Sequence, residues 1–279
     1  MTQGERGSKK IRGYGWNVAW GSVLGVALLS GANFWPEEPN EAAGTFAAPD
    51  ALHHHADEVD RTKALALLAR SFKEMAKVED YQMELHKKER LNGKLGAEQV
   101  IDMVVRQHPF KVRMAWKEPK ALSGQVGIFC QETNPKRMRG KSAGFLGNLG
   151  FISMGLDDPL SRATSRHGID EAGFQNLFNR LDKSWGLWGD EDDTRVRVTQ
   201  GELDRKTCTT VDVLQSPSTN TTNEFARTIV TFAADTGLPI RLELYAWAED
   251  GKSVGDLLES YKYHKLEINS GLTEDFRKN

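Results

Sequence analysis

Residues 81–116 read YQMELHKKERLNGKLGAEQVIDMVVRQHPFKVRMAW, and this stretch decides the fold class. Apolar and polar side chains alternate along it in three runs, which begin near Tyr81, Gln99 and Phe110. Alternation with a period of two is typical of strands with one buried face. Asn92-Gly93 is a favoured two-residue hairpin turn. The stretch therefore predicts sequential strands in an antiparallel meander.

Strand patterns continue beyond this stretch, and two helical patterns interrupt them. A fourth strand is expected at about 124–132, and the C-terminal part contains five more, at 195–199, 208–214, 225–233, 240–247 and 257–268. Apolar residues recur at helical spacing in two places, first at Leu65, Leu68, Phe72 and Met75, and then at Phe174, Leu177, Phe178, Leu181 and Trp185. About nine antiparallel strands covered by two amphipathic helices predict an α+β fold.

The segment at 140–168 is rich in glycine and in apolar residues, but it has no regular period. It is too apolar for an exposed linker, so we expect it to pack as a lid or cover. The predicted architecture is a curved antiparallel sheet, covered by the N-terminal helix and by a middle helix with its lid segment.

The composition is that of an ordinary globular chain. Of the 279 residues, 39% are apolar and 27% are charged, which excludes wholesale disorder. The formal net charge is −2, and basic residues are interspersed with acidic ones, so no nucleic-acid partner is expected. The length is ample for a large domain, and we expect residues 58–279 to form a single one.

The first 32 residues have the pattern of an export signal. Basic residues at 9–12 precede an apolar stretch at 16–29, and small residues occupy 30–32. We expect residues 1–32 to be a signal peptide that directs the protein to the periplasm or the cell envelope. The alternative is an uncleaved inner-membrane anchor, although a spanning helix needs ~20 apolar residues. Residues 33–57 contain three prolines and are expected to form a flexible linker.

The chain has two cysteines, Cys130 and Cys208, and neither belongs to a CxxC pair. This spacing excludes a zinc ribbon and a thioredoxin-like redox motif. In an oxidising compartment the two thiols are candidates for one disulfide that closes a long loop. The alternative is two separate small thiols in the interior.

Two short patterns suggest chemistry, but neither has the context that it needs. Gly140-Lys141-Ser142-Ala143-Gly144 matches the G-x-S-x-G turn of serine hydrolases, with His167 or His264 as the base. That turn follows a buried strand, and residues 134–139 are too polar for one. The histidines at 53–55 fall in the expected linker, which offers no fixed geometry for a metal. We therefore predict no catalytic residue, no metal site and no cofactor, and keep a hydrolase at Ser142 as the less favoured alternative.

The sequence is also rich in large apolar side chains, with seven Trp, twelve Phe and seven Met residues. A curled antiparallel sheet under helices can enclose an apolar ligand cavity. Methionine suits flexible acyl chains, although it also fills ordinary cores. The inward-facing candidates for ligand contact are Met114, Trp116, Leu242 and Leu244. A shift of one residue in the strand parity would turn all four outward.

Several short motifs follow one another between about residue 59 and the C-terminus. They are Lys88-Glu89-Arg90, Asn92-Gly93-Lys94, His108-Pro109-Phe110-Lys111-Val112, Thr207-Cys208-Thr209, Gly237-Leu238-Pro239-Ile240-Arg241, Tyr245-Ala246-Trp247, Leu257 to Tyr263 and Asn269 to Phe276. In this order they resemble an uncharacterised family of bacterial exported domains of unknown function. That family is similar to the LolA-type lipoprotein carriers and to the LppX lipid binders.

The resemblance implies a curved antiparallel half-barrel, LolA-like, that helices close over an apolar cavity. It also implies a non-enzymatic envelope protein that binds or carries a lipid or a lipidated protein. Cys130 departs from the family pattern, so the resemblance does not support a bridge to Cys208. The alternative function is an envelope interaction or scaffold module that has a protein partner, a solid core and no ligand.

Overall fold

The computed structural model describes residues 53–162, 164–186, 194–217 and 224–272. The predicted signal peptide and most of the predicted linker lie outside the described residues. The helices are α1 (His53–Met75), α2 (Pro159–Arg162) and α3 (Phe174–Trp185), with short 3-10 helices at Gly144–Leu149 and Ile169–Glu171. The strands are β1 (Asp80–Leu91), β2 (Lys94–Leu95), β3 (Gln99–Arg106), β4 (Lys111–Glu118), β5 (Val126–Cys130), β6 (Arg137–Lys141), β7 (Ile152–Gly155), β8 (Arg195–Leu203), β9 (Lys206–Leu214), β10 (Phe225–Ala233), β11 (Pro239–Trp247) and β12 (Val254–Ile268).

The twelve described strands form one curved antiparallel sheet that is not closed. Its order is β7-β6-β5-β4-β3-β1-β12-β11-β10-β9-β8, and the short β2 pairs with β1 off this path. The chain runs outward from the centre to β7, passes through the three helical segments before β8, and returns from β8 to β12. The first and last strands are therefore neighbours at the centre. The predicted α+β fold, with an antiparallel meander under helices, is confirmed.

The middle segment differs from the expected irregular lid, because β6 ends in it and β7 lies within it. Residues 137–141 pair with β5, and residues 152–155 pair with them in turn. Both strands are short and lie at one edge of the sheet, where the polar residues of β6 can remain exposed. The alternating pattern of a half-buried strand is therefore too short there to recognise. The rest of the segment leads into α2 and the cover described below.

Helix α1 begins at His53, within the stretch expected to be linker, and it contacts β8 and α3. The carboxylate of Asp60 accepts a hydrogen bond from the backbone N–H of Val198 in β8, at 2.9 Å. Ser71 donates its hydroxyl to the carbonyl of Gly237 in the β10–β11 turn. The helix therefore covers an edge strand that would otherwise present unpaired backbone groups.

Helix α3 packs its apolar face into the core and begins against β1. Phe174, Phe178 and the other predicted apolar positions of this helix are buried. The N–H of Phe174 donates to the hydroxyl of Tyr81 at 3.0 Å. Gly173 allows this approach, since it adopts a φ of +97° and a Cβ there would lie 2.7 Å from that hydroxyl.

The core is continuous between the sheet and the two long helices. Both cysteines are free, with Cys130 at the end of β5 and Cys208 in β9, so the predicted candidate disulfide is not formed in this structure. Within the described ranges, no helix combines the length and the apolar character that a membrane crossing requires.

Replacing Phe178 with alanine tests the packing of α3. The ring is fully buried and meets Phe72 of α1 edge to face, with centroids 5.4 Å apart. We expect Phe178→Ala to lower the free energy of unfolding by about 3–5 kcal/mol, because it leaves a cavity between the helices and the sheet. The exposed Lys183→Ala on the same helix should change it by less than about 0.5 kcal/mol. Urea denaturation measures both, and equal effects would contradict this packing.

Candidate functional site

A cavity of about 240 Å³ lies between the inner face of the sheet and the segment that covers it. Its floor consists of β12, β1, β3, β4, β5, β6 and β7, which are consecutive in the sheet. Its cover consists of residues 161–173 with the first turns of α3. The apolar lining includes Leu85, Trp116, Ile152, Ile169, Leu177 and five methionines.

The floor is a row of methionines across neighbouring strands, and the row ends in two glycines. Met83 of β1 is opposite Met103 of β3, which is opposite Met114 of β4. Gly127 of β5 and Gly140 of β6 continue the same row. Directly opposed residues on one face lie close enough for their side chains to touch. Three flexible thioethers therefore lie side by side, and the next two positions carry no side chain before Ile152 of β7, which is opposite Gly140.

The two glycines make room for apolar groups from elsewhere in the cavity wall. A Cβ at Gly127 would lie 3.0 Å from Cδ1 of Ile169 in the cover. A Cβ at Gly140 would lie 2.8 Å from Cε of Met154 on β7. Larger residues at these positions would push Ile169 or Met154 aside, so the present shape of the cavity depends on glycine at both.

One end of the cavity is charged. The inward residues of β1 change from Leu85 to Lys87 and Glu89, and the Lys87 ammonium lies 3.2 Å from the Glu89 carboxylate. Glu89 is opposite Glu259 of β12, which is fully buried. The hydroxyl of Tyr261 donates to both carboxylates, at 3.1 Å in the case of Glu259. Two carboxylates therefore share one buried region, which is strongly unfavourable without compensating charge.

The compensating charge comes from Lys87, which pairs with Glu89, and from Arg166 and His167 in the cover. Arg166 donates through Nε to Glu259 at 2.8 Å and through its backbone N–H to Glu89 at 3.0 Å. Nε2 of His167 lies 2.9 Å from Oε1 of Glu259. Hydrogen bonds between ionised partners are stronger than neutral ones. These contacts fasten the cover to the centre of the sheet.

The ionisation of His167 and Glu259 follows from their contact. Burial disfavours both charged forms, but the hydrogen bond and the charge of the partner outweigh it. The pKa of His167 therefore lies above its ordinary 6.5, and the pKa of Glu259 lies below its ordinary 4.5. Nδ1 of His167 lies 3.2 Å from Oε2 of Glu171, so a doubly protonated ring donates to two carboxylates.

Arg180 of α3 completes the charged end of the cavity. Its Nη1 lies 3.1 Å from Nε2 of His167. Among the residues that the structure describes, no carboxylate forms an ion pair with Arg180. By contrast Lys87, Glu89 and Glu171, which line the same end, are all paired.

The structure divides the four residues that the sequence proposed for ligand contact. Met114 and Trp116 line the cavity, and Nε1 of Trp116 donates to Gln99 at 2.7 Å. Leu242 and Leu244 are also buried, but they belong to the packed core and are not among the cavity-lining residues. Strand parity identifies the inward side chains, but it does not show where the cover leaves space.

Ser142 borders the cavity without the surroundings of a catalytic serine. It follows β6 and precedes the 3-10 helix Gly144–Leu149, whereas a nucleophile elbow leads into an α-helix. His167 contacts Glu259 and Glu171, and His264 packs on the ring of His86 at 4.6 Å. The described residues therefore do not assemble a serine–histidine pair here. They also contain no cluster of three or more His, Cys, Asp or Glu placed to hold a metal ion.

The charged end of the cavity was not predicted from the sequence, although the alternation in β1 contains a signal for it. Lys87 and Glu89 continue the inward parity of Tyr81 and Leu85, so the alternation predicts two charged residues on a buried face. A charge at an inward position needs a partner. That partner could not be identified, because Arg166 is distant in sequence and lies in a segment without a period.

Stability against pH tests the contact between His167 and Glu259. Because the pKa of His167 is raised on folding, its contribution is complete below pH 6.5 and declines as the pH rises through the folded value. Because the pKa of Glu259 is lowered, its contribution is complete above pH 4.5 and declines below that pH. We expect His167→Gln to cost about 2 kcal/mol between these pH values and less at pH 9, as measured by urea denaturation.

His264 provides the matched control. Its pKa is lowered by burial and then by the neighbouring His86, so its protonation opposes folding. The cost of His264→Gln should therefore become smaller, not larger, as the pH falls. A cost of His167→Gln that stays constant from pH 5 to 9 would contradict the assigned contact.

The fold is similar to several solved structures at low sequence identity. The Mycobacterium tuberculosis lipoprotein LppX is 14% identical over 74% of this chain and 96% of its own, with a TM-score of 0.42. A LolA superfamily protein from Nitrosomonas europaea is 10% identical over 77% of this chain and 97% of its own, with a TM-score of 0.34. In the Pseudomonas aeruginosa MucA/MucB complex, the matched chain is 15% identical over 78% of this chain and 61% of its own, with a TM-score of 0.44.

No curated protein matches the sequence. Residues 78–279 match a protein family described as a protein of unknown function, DUF1571. The matched region covers both meanders of the sheet, the cover and α3, and it includes every residue named above as lining the cavity. It spans well over half of the 279 residues, so the chain belongs to the DUF1571 family.

Proposed function

We propose that this protein is a non-enzymatic component of the cell envelope that binds a single-chain, lipid-like ligand in the cavity. The observation that carries the proposal is the distribution of methionine. Five of the seven methionines in the chain line this one cavity, namely Met83, Met103, Met114, Met138 and Met154. An unbranched thioether adapts its shape to an irregular or flexible apolar partner. Such a wall suits an acyl chain better than a rigid ring.

The size of the cavity limits the ligand. Its 240 Å³ lies below the roughly 300–1,000 Å³ of pockets for drug-sized molecules. In this conformation the cavity therefore suits one short chain, or one segment of a longer chain, rather than a lipid with two long chains.

The contacts of the cover suggest how a ligand could enter. Between residues 161 and 173, the described residues include only one that is buried, Gly168. The segment is held mainly by the polar contacts of Arg166 and His167. Opening the segment therefore breaks few apolar contacts, and its main cost is the loss of these charge-paired contacts. Release of these two residues from Glu89 and Glu259 would uncover the polar end without unfolding the sheet.

The envelope location in this proposal rests on the export pattern of residues 1–32. A protein that shields an acyl chain is useful where lipids cross an aqueous compartment. A lipidated protein is a ligand of the same kind, because it presents an acyl chain.

A second candidate is the interaction module, and an exposed apolar surface favours it. Phe145 and Leu149, on the 3-10 helix Gly144–Leu149, are 83% and 77% exposed. Ile152 at the start of β7 is 50% exposed. Groups of exposed apolar side chains are common at protein interfaces. This candidate requires a protein partner and no ligand.

Extraction of the purified protein tests the proposal. We expect mass spectrometry of an organic extract, from full-length protein isolated out of the envelope, to detect a bound lipid. Met114→Trp should reduce the retained lipid at least about five-fold, since it places a bulky ring in the middle of the methionine row. Lys117→Trp is the control, because Lys117 lies on the same strand, exposed on the opposite face.

Lipid in the wild type and the control but not in Met114→Trp would support the carrier. Folded wild-type protein that contains no lipid, and that binds none when lipid is added, would contradict it and favour the interaction module.

A further inference from the structure

We infer that the ligand is an anionic amphiphile whose head group binds Arg180, with its chain on the methionine row. This inference rests on the proposed function, because it assigns the polar end of the same cavity. It names one chemistry for the head group, a carboxylate or a phosphate at the end of a single chain. Among the described residues that line this end of the cavity, every other cation is paired with a carboxylate.

The pairing of the neighbouring charges isolates Arg180. The Glu89 carboxylate is held by Lys87, by the N–H of Arg166 and by the hydroxyl of Tyr261. Glu89 and Lys87 neutralise each other, and the remaining oxygen contacts of Glu89 are made by hydrogen-bond donors. Glu89 therefore presents little uncompensated negative charge to a ligand.

The second carboxylate that lines this end, Glu171, is also occupied. It contacts His167 at 3.2 Å and Arg162 at 3.9 Å. His167 in turn contacts Glu259 through its other ring nitrogen. Arg180 touches the same ring, so two cationic groups lie together beside the cavity whenever His167 is protonated. His167 contacts two carboxylates, whereas no carboxylate among the described residues forms an ion pair with Arg180.

The chemistry of the guanidinium makes the assignment specific. A cation at the wall of an apolar cavity is unfavourable until an anion pairs with it. Arginine presents several N–H donors in a planar fork that matches the oxygens of a carboxylate or a phosphate. Arg180 lies on α3, whose apolar face is fully packed, so its backbone is fixed relative to the methionine row. A ligand held there would direct its chain away from the charges.

Lys141 is the alternative cation. It also lines the cavity, and among the described residues no carboxylate forms an ion pair with it. It is the last residue of β6 and lies beside Gly140, at the glycine end of the methionine row. Within the described part of the chain, its ammonium contacts none of the buried charged groups at the other end of the cavity. An anion held at Lys141 would therefore leave Arg180 uncompensated, and we assign the head group to Arg180.

Calorimetric titration of the full-length protein with ligands of one chain length tests the inference. The ligands are decanoate, decyl phosphate and 1-decanol, and inorganic phosphate serves as the anion without a chain. We expect at least one of the two anionic ligands to bind at least about ten-fold more tightly than 1-decanol. Arg180→Gln should lose at least about ten-fold in affinity for that ligand and less than about two-fold for 1-decanol. Binding of 1-decanol to Arg180→Gln shows that the variant has kept the cavity.

Two further variants sharpen the result. Arg180→Lys keeps the charge without the fork and should retain part of the affinity. Lys141→Gln removes the alternative cation and should change the affinity for the anionic ligand by less than about two-fold.

The outcomes separate the head group from the cavity. Equal binding of 1-decanol and both anionic ligands, or an unchanged affinity in Arg180→Gln, would overturn the head-group assignment and leave the proposed function standing. Loss of affinity in Lys141→Gln instead would also overturn it. Wild-type protein that binds none of the three decyl ligands would overturn the proposed function itself, whether or not it binds inorganic phosphate.

Discussion

The structure depends on two carboxylates that face each other at the centre of the sheet. Glu89 and Glu259 are opposite residues on β1 and β12, the strands where the two halves of the chain meet. Burying both without compensation would cost more than local packing returns. Lys87 of β1 pairs with Glu89, and Arg166 and His167, in the segment between the two meanders, pair with Glu259. One electrostatic requirement therefore fixes both the cover and the polar end of the cavity.

The apolar part of the cavity has a different origin, in the size of the residues on one cross-strand row. Met83, Met103 and Met114 are flexible, and Gly127 and Gly140 carry no side chain. Interiors of folded proteins are normally filled at close to crystal density. A row of leucine or phenylalanine would have filled this space. The two parts of the cavity meet on β1, where Met83 and Leu85 are followed on the same face by Lys87 and Glu89, so the cavity is apolar at one end and charged at the other.

Much of the architecture could be predicted from the sequence, because strands and helices each leave a characteristic spacing of apolar residues. The alternation from Tyr81 to Trp116 predicted the meander, and the helical spacing from Phe174 predicted α3; both are confirmed. Membership of an uncharacterised family is confirmed as well. Strands β6 and β7 were missed, because four or five residues at a sheet edge contain too few alternations to distinguish a strand from a loop.

The residues that line the cavity were harder to predict from the sequence than the fold. Parity placed Met114, Trp116, Leu242 and Leu244 on the inner face, but only the first two line the cavity. The difference depends on where the cover packs, and that is decided by contacts over long distances in the chain. Arg166 and Glu259 are an example, since 93 residues separate them. No local pattern contains such a pairing.

Methyl NMR spectra of the protein labelled at its methionine methyl groups test the central claim most directly. The claim is that an amphiphile with a single chain lies on the methionine row. Addition of the more tightly bound of decanoate and decyl phosphate should shift the methyl signals of the five methionines that line the cavity. The signal of Met75, which is fully buried in the core, should remain in place. The account would be contradicted if saturating ligand left the signals of these five methionines unchanged, or if it shifted the Met75 signal as much as theirs.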